Sequence, residues 1–339
     1  MSSGTIDRYV DTGVRWKQAL SIAVLVVLIA LPQFLGVFRT RLAIDILILL
    51  LFVVSYDFIL GYAGVLSFGH ALPYGVGAYF LALGLEGGAL PFLPQEPLTF
   101  TTAVLFALIV VVLVMLVTGA LALQTSGVYF AMVTLALAQI AFIAMVELDD
   151  VTGGENGLFL TLPDPFGYSL GEITNVYYLS AIVVVVSYLI MRHLVKTPFG
   201  LALRSIRQNE ERARFIGLNA FRFKLAAYTI SGVFAGIAGM LFAIANAFIT
   251  PDLLQWETTG DAVIMAIIGG LGSLWGPALG VVVTFSLEEV VSGMFIEAWP
   301  IFVGIFFILV VLFMPGGIAG VVNRRVAPRL RTIREGEQE

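Results

Sequence analysis

Long apolar stretches, separated by short polar or glycine-rich segments, follow one another from Gln18 to Val322. Segments such as Ala103 to Leu123 are continuously apolar and do not alternate. A bilayer core about 30 Å thick takes about 20 apolar residues per helix, and every backbone amide inside it must be paired within the segment. The pattern predicts an all-α, polytopic transmembrane bundle of about 8–10 helices, because the strands of a membrane barrel would alternate.

Nine stretches are candidates for these helices, and the first is expected to stay in the protein. Its apolar run, Ala19 to Leu31, is followed by Pro32 to Arg41, where no small-x-small cleavage site occurs. The stretches lie near residues 18–38, 42–60, 64–85, 98–123, 127–147, 174–191, 225–249, 261–287 and 299–322.

Composition agrees with a membrane protein and narrows the chemistry. Apolar residues make up 59% of the 339 and charged residues 12%, against roughly 45–50% and 25% in soluble domains. There is no cysteine and there are two histidines, His70 and His193, so no metal or cofactor site is predicted. A membrane-embedded enzyme would need a convergent acid/base or metal constellation, and none is visible. The isoelectric point near 5.2 gives no reason to expect nucleic-acid binding.

The basic residues predict the orientation. All 18 fall in three clusters, Arg8 to Arg41, Arg192 to Lys224 and Arg324 to Arg334. Cytoplasmic loops of membrane proteins carry the excess of Lys and Arg, so both termini and the Arg192 to Lys224 cluster are expected in the cytoplasm. The chain is then a transmembrane domain, 1–323, with a cytoplasmic loop at 195–223, followed by a cytoplasmic tail at 324–339. An acidic outer loop contains Asp149, Asp150, Glu155, Asp164 and Glu172.

Counting crossings tests this orientation. Six crossings bring the chain back inside at Arg192 but leave Arg39 and Arg41 outside. Only three apolar stretches follow Lys224, whereas a cytoplasmic tail needs an even number. The stretch 261–287 is therefore expected to be broken or re-entrant, since helix breakers crowd it. These are Gly269, Gly270, Gly272, Gly276, Pro277 and Gly280.

A weak internal repeat connects two glycine-rich segments. GYAGVLSFGH, Gly61 to His70, places glycines and a leucine as GGLGSLWG does from Gly269. Paired Gly-interrupted segments in two halves of a transporter point to a binding site near the midplane. Equally, glycines let helices approach closely in any membrane bundle.

Ionisable residues at membrane depth are costly and need a role or a partner. Asp45, Asp57 and His70 fall inside or beside apolar stretches. Asp57 precedes Gly61 by one helical turn and is placed to cap or hydrogen-bond a chain break there. His70 is either a structural or a pathway residue, and proton coupling in a stand-alone secondary transporter or channel remains an alternative. Glu288 and Glu289 are expected at the outer interface.

The basic segment Thr197 to Asn219 predicts a short amphipathic helix. Pro198 and Gly200 mark its start and Gly217 its end, while Leu203, Ile206, Ala213 and Ile216 recur at helical spacing. Arg207 with Glu211, and Glu210 with Arg214, are spaced for i,i+4 ion pairs. The helix either lies on lipid headgroups or docks its apolar side into a cytoplasmic partner.

Five motifs occur in one order along most of the chain, and together they resemble the LivM-type permeases of branched-chain amino acid ABC importers (the LivH/LivM permease family). They are GYAGVLSFGHALPYGVGAY (Gly61 to Tyr79), YFAMVTLALAQI (Tyr129 to Ile140), TGGENGL (Thr152 to Leu158), ALRSIRQNEERARFIGLN (Ala202 to Asn219) and IIGGLGSLWGPALG (Ile267 to Gly280). Three positions depart from the family pattern: Asp57, Phe58 and Val65.

The resemblance implies a division of labour among subunits. It implies cytoplasmic ABC ATPase subunits, a second LivH-type permease and an extracytoplasmic solute-binding protein in a cell (plasma or inner) membrane. No ATPase site is expected in this chain, because none of the three lysines lies in a phosphate-binding GxxxxGK[ST] loop, so the energy is expected to come from elsewhere. The residues that it implies for ATPase coupling are Arg204, Arg207, Asn209, Glu210, Glu211 and Gly217.

Transport would proceed by alternating access along a mildly polar pathway lined by small residues. The resemblance implies branched-chain amino acids as the substrate, and an apolar passage would suit their aliphatic side chains. Urea, amides or other amino acids are the alternatives on the same scaffold. The candidate pathway residues are Tyr62, Gly64, Ser67, His70, Thr134, Gln139, Gly269, Gly270 and Gly272.

Overall fold

A computed structural model describes residues 28, 30–87, 96–293, 299–314 and 316–324 of the chain. The expected first helix, 19–31, lies almost wholly outside these residues, and so does the tail from 325 onward. The orientation expected for the two termini therefore falls outside the described residues as well.

The described chain is almost entirely helical. Six helices are long and apolar enough to cross a membrane, which makes this a polytopic all-α membrane protein. The helices are α1 (Val37–Asp57), α2 (Ala71–Glu86), α3 (Phe100–Ala122), α4 (Val128–Glu147), α5 (Ile173–Leu194), α6 (Pro198–Gln208), α7 (Glu210–Phe215), α8 (Ala220–Asn246), α9 (Trp256–Gly269), α10 (Trp275–Ser292) and α11 (Trp299–Phe313). A further helical segment occupies 317–324.

Two of the spans form the centre of the bundle. In its most apolar window, α1 with the turn that follows it is 67% buried and α8 is 72% buried, compared with 28% for α3 and 22% for α4. Helices α5, α8, α9 and α10 pack against α1, and α3 packs against both α2 and α8. The outer helices thus present apolar faces to the surroundings, as lipid requires.

Small residues bring α2 and α8 together. A side chain at Gly239 would collide with the backbone carbonyl of Tyr74, and one at Gly77 with the carbonyl of Gly236. Close backbone approach through small residues is the usual way in which helices pack in a bilayer, where the hydrophobic effect gives no drive between helices.

The predicted break in the stretch 261–287 is confirmed. It is two helices, α9 and α10, that run back along each other and are joined by a loop from Gly270 to Leu274. A side chain at Gly280 of α10 would strike the carbonyl of Met265 in α9. The stretch therefore turns back on itself as two segments instead of one, which resolves the odd count of apolar segments after Lys224.

The two ends of the bundle differ, and we call them the α6 end and the far end. The far end contains the C-terminus of α8 and the antiparallel pairing of β1 (Leu158–Phe159) with β2 (Phe248–Ile249). The TGGENGL motif precedes β1, and its glycines adopt φ values of +72° at Gly153 and +71° at Gly157, which favour glycine.

Arg41 also lies at the far end, where the sequence left it unexplained. Its guanidinium donates to the carbonyl of Ala245 and to the Asn246 side chain, and it approaches Asp45 at 3.9 Å. Arg41 thus binds the C-terminal carbonyls of α8, a position that favours a cation. Asp45 has a partner on its own helix and does not stand isolated in the bundle.

Candidate functional site

Three segments meet at the α6 end, and we call their contact the junction. They are α6, the π-helical turn Phe58–Ala63 that extends α1, and the Gly270 to Leu274 loop between α9 and α10. A π-helical turn inside an α-helical run is uncommon and is often found at functional sites. Here it ends at Gly64, whose φ of +71° requires glycine-like freedom.

Two arginines of α6 hold the π-helical turn. Arg207 donates to the carbonyl of Gly61, a group that the helix no longer uses, and its side chain packs against Gly64. The Arg204 guanidinium lies 4.9 Å from the centre of the Tyr62 ring, within the range of a cation–π contact. Both arginines face the bundle, so α6 is attached to the end of α1 by specific polar contacts.

Asp57 connects the π-helical turn to the third segment. It is completely buried, and its carboxylate accepts hydrogen bonds from the backbone N–H of Gly272 at 2.6 Å and of Leu274 at 3.0 Å. The prediction that Asp57 bonds to a chain break at Gly61 was wrong about the partner, because its carboxylate bonds to the loop between α9 and α10, at Gly272, 215 residues away. Two backbone donors satisfy a buried carboxylate that would otherwise be costly.

The two glycine-rich segments of the weak repeat therefore touch each other. A side chain at Gly61 would lie 2.5 Å from the backbone nitrogen of Gly272. Because no side chain would fit there, glycine at this position allows the two chain segments to approach closely. The contact lies beside α6.

The predicted amphipathic helix is two helices, because Asn209 adopts an extended conformation (φ −159°) between α6 and α7. Its side chain accepts from the Arg212 N–H at 2.9 Å and caps α7. The predicted Arg207–Glu211 pair was wrong, since the break rotates the two residues apart and Arg207 binds Gly61. The Glu210–Arg214 pair is confirmed at 2.6 Å.

Glu210 also fixes this segment to α8. Its carboxylate binds Lys224, near the start of α8, as well as Arg214. Partial burial raises the pKa of Glu210, but the hydrogen bonds and positive charges of Lys224 and Arg214 outweigh that effect and hold the pKa below its usual value. Beneath the ion pairs, Ile206 and Ala213 pack on Ala220 in a small apolar cluster.

The break also changes which apolar residues are hidden. Leu203, Ile206 and Ala213 are buried as expected, but Ile216 is 75% exposed and Phe215 is 83% exposed. They form an apolar tip, Phe215–Ile216, just before Gly217, whose φ of +87° ends α7 in a left-handed turn. Sequence reasoning missed this tip because it assumed one continuous helix.

The residues implied in coupling thus fall into three kinds. Arg204, Arg207 and Glu210 bind the rest of the chain, whereas Asn209 and Gly217 shape the segment. Glu211 is exposed on the outer face of α7. The segment is therefore rigidly attached on one side and free on the other.

A second polar group lies deeper in the bundle, away from α6. The Ser55 hydroxyl donates to the Phe52 carbonyl and lies 2.8 Å from His70 Nε2, to which it is hydrogen-bonded, beside the rings of Phe52 and Tyr56. Thr134 accepts from the Phe68 N–H, and Ser67 from the Gly69 N–H. His70 is 2% exposed, so in this conformation it holds the loop before α2.

All but one of the candidate pathway residues lie in one of two places. Tyr62, Gly64, Gly269, Gly270 and Gly272 surround the junction, and Ser67, His70 and Thr134 belong to the deeper polar group. Gln139 lies half-buried further along α4.

A cavity of about 370 Å³ opens between these places. It is bounded by the loop after the π-helical turn, by the turn between α3 and α4, and by Lys224. Its polar lining includes Thr125 and Ser126, and its apolar lining includes Val65 and Phe68. Within the described residues, no group of three or more His, Asp or Glu side chains is arranged to hold a metal ion.

The helical membrane bundle contains broken helices with a cavity beside the break. A polar segment, α6 with α7, is attached to the break and faces away from the bundle. These features are those of a polytopic transport protein. The chain belongs to the branched-chain amino acid transport system / permease component family, whose model matches residues 38–314.

Similarity to individual curated proteins supports this family assignment. The chain is 27% identical to the high-affinity branched-chain amino acid transport system permease protein LivM of Salmonella typhimurium, over 89% of this chain and 75% of that protein. It is 24% identical to a probable LivM of Methanocaldococcus jannaschii, over 76% and 86%. A shorter match, 30% identical over 36% and 39%, is the guanosine ABC transporter permease protein NupQ of Bacillus subtilis. No solved structure matches the chain.

Proposed function

We propose that this chain is the permease subunit of a binding-protein-dependent ABC importer that carries branched-chain amino acids by alternating access. The observation that carries the proposal is the junction, where α6, outside the bundle, binds the π-helical turn, and Asp57 next to that turn binds the loop between α9 and α10. A displacement of α6 would therefore act on the end of α1 directly. Family membership supports the assignment of the driving force to ATP.

The α6 end faces the cytoplasm in this proposal. Eight basic residues lie between Arg192 and Lys224, whereas the far end has Arg41 bound to the end of α8 and a loop rich in acids. Cytoplasmic segments carry the excess of positive charge. The far end would then receive the extracytoplasmic solute-binding protein.

Separate ATPase subunits supply the energy, and this chain performs no ATP chemistry of its own. The apolar tip Phe215–Ile216 is proposed as the part of the coupling segment that enters a groove on an ATPase. The residues beside it are charged and exposed, as at the rim of a docking site. A related LivH-type permease would complete the membrane core.

The docking proposal is tested by Phe215→Ala with Ile216→Ala in the assembled complex. Phe215 is 83% exposed and Ile216 is 75% exposed, so the fold does not depend on these side chains. Loss of a buried apolar anchor of this size costs about 2 kcal/mol or more at an interface. We expect stimulation of ATP hydrolysis by the loaded binding protein to fall at least about tenfold.

Leu113→Ala is the matched control, because Leu113 is a large apolar side chain, 56% exposed, in the middle of α3 and away from both ends of the bundle. It should leave stimulation intact. Normal stimulation in the double variant would contradict the docking proposal.

The substrate is proposed from the branch of the family and from the cavity beside the junction. Its mixed apolar and hydroxyl lining suits a small zwitterion with an aliphatic side chain, which must pass without tight binding. The same scaffold serves other solutes, as the guanosine relative indicates. Identification of the ligand that co-purifies with the cognate binding protein tests this point. Recovery of a nucleoside, urea or an amide would contradict the proposal that the substrate is a branched-chain amino acid.

A further inference from the structure

We propose that Asp57 forms a releasable link between the coupling segment and the α9–α10 hairpin. The Asp57 link consists of the two hydrogen bonds that its carboxylate accepts from Gly272 and Leu274. Movement of α6 breaks or forms it, so that one helix outside the bundle controls two elements inside. The inference rests on the proposed function and assigns Asp57 as a positioning residue within it.

The position of the Asp57 link makes it sensitive to α6. Asp57 is the last residue of α1, directly before the π-helical turn that Arg207 holds at Gly61. The Arg207 side chain also lies beside the loop, since a side chain at Gly272 would come within 3.4 Å of its guanidinium. A shift of Arg207 therefore displaces the turn that carries Asp57 relative to the loop that Asp57 binds.

The loop on the other side of the link is strained. Leu274 has φ +56° and ψ −44°, and the Trp275 N–H donates to the Ser273 carbonyl at 2.7 Å around it. This is the γ-turn with positive φ, which is rare and strained for a residue with a branched side chain. Such conformations persist where the surroundings impose them and are concentrated at switch regions.

The Asp57 link holds Leu274 in this conformation. The hydrogen bond from the Leu274 N–H to Asp57 fixes the residue at the centre of the γ-turn, and the hydrogen bond from the Gly272 N–H fixes the chain just before the turn. Once Asp57 withdraws, Leu274 can relax to negative φ and α10 is free to change its angle to α9. Strain therefore favours release, and the two hydrogen bonds oppose it, which makes the loop an element with two states.

The experiment uses the absence of cysteine from the chain. Leu271→Cys places one thiol in the loop at a side chain that is 36% exposed and carries no polar atom. Its rate of reaction with a maleimide is measured in the complete importer, without nucleotide and with vanadate-trapped nucleotide. The ratio of the two rates reports whether the loop changes state with the ATPases.

Two variants should move this ratio in different ways. Asp57→Asn keeps the size of the side chain but one of its two acceptors becomes a donor, so we expect the loop to be released in both states and the ratio to approach one. Leu274→Gly is compared with Leu274→Ala, because both lose the buried Leu274 side chain and only glycine removes the strain. Relative to Leu274→Ala, the loop of Leu274→Gly should shift toward the linked state by roughly tenfold. Its engineered thiol should then react more slowly than that of Leu274→Ala in both states.

Asp45→Asn is the matched control, because Asp45 is an aspartate of the same helix that pairs with Arg41 at the far end. It should leave the ratio of the parent unchanged. If Asp57→Asn fails to assemble, the slower reaction of Leu274→Gly than of Leu274→Ala still tests the link.

A nucleotide-dependent ratio that survives Asp57→Asn would overturn the link, and so would reaction of Leu274→Gly as fast as that of Leu274→Ala. Neither result affects the proposed function, which is tested separately by the dependence of ATP hydrolysis on the Phe215–Ile216 tip.

Discussion

Single residues at the junction leave no space for an added methyl group. Gly61 packs against both Asp57 and the backbone of Gly272. Gly61→Ala must push the π-helical turn away from the loop, and overpacking of this kind destabilises a protein by about 1–3 kcal/mol. We expect a lower midpoint of thermal unfolding in detergent.

Gly260→Ala is the control for this prediction, since nothing lies within 4 Å of the position where its side chain would begin. In the interior of α9, alanine should be neutral or stabilise by up to about 1 kcal/mol. Equal midpoints for the two variants would show that the junction is looser than described.

Glu210 predicts a dependence on pH. Its pKa is held below the usual value near 4.5 by Lys224 and Arg214, despite the opposing effect of burial. A group with a depressed pKa in the folded state stabilises the protein above its unfolded pKa, and the contribution is lost as pH falls through the folded pKa. The ion pairs therefore act fully at pH 7 and disappear in acid below pH 4.5 or so.

Glu210→Gln should speed hydrogen exchange in α7 at pH 7 by less than about fivefold, because partly exposed pairs are screened and worth under about 1 kcal/mol. The difference from the parent should vanish in acid and shrink in high salt. Glu211→Gln, on the exposed side of α7, serves as the control. An effect of Glu210→Gln that grows as pH falls would have the wrong sign.

At the scale of elements, the break between α6 and α7 decides what the coupling segment presents. Asn209→Ala removes the cap of α7, a loss of about 1 kcal/mol, equivalent to roughly fivefold faster exchange of its amides. Asn209→Asp retains the acceptor oxygen and should exchange as the parent does. Slower exchange in Asn209→Ala would mean that the two helices had fused.

Many of the helix boundaries and one of the breaks could be predicted from the sequence. The stretch 98–123 became Phe100–Ala122 and 127–147 became Val128–Glu147, because membrane helices need long apolar runs whatever their neighbours. The split of 261–287 followed from its glycines and proline. The break at Asn209 did not, since the apolar spacing continues across it and only the cap side chain marks it.

The contacts of the junction were beyond the sequence for a different reason. Arg207 looked like one member of an i,i+4 pair, and its actual partner, the Gly61 carbonyl, lies 146 positions earlier. Asp57 was recognised as a buried acid that needed donors, but no local pattern names donors that come from a loop 215 residues away. Periodicity reports on one element at a time, while the candidate site is made by three.

On the scale of the whole molecule, the bundle is polar at both ends and apolar around its girth, and the ends are unequal in charge. Basic residues gather around α6 and α7, and acids gather in the loop between α4 and α5. A membrane protein inserted by the rule for positive charge has one orientation. Because α7 must meet cytoplasmic ATPases in the proposed mechanism, everything else depends on this orientation.

Labelling of engineered thiols in intact cells tests this claim most directly, because the chain has no cysteine of its own. Glu211→Cys in α7 and Glu155→Cys in the loop before β1 both replace exposed residues. With a maleimide that cannot cross membranes, Glu155→Cys should react in intact cells and Glu211→Cys only after permeabilisation. Reaction of Glu211→Cys in intact cells would put the coupling segment on the wrong side of the membrane and contradict the account.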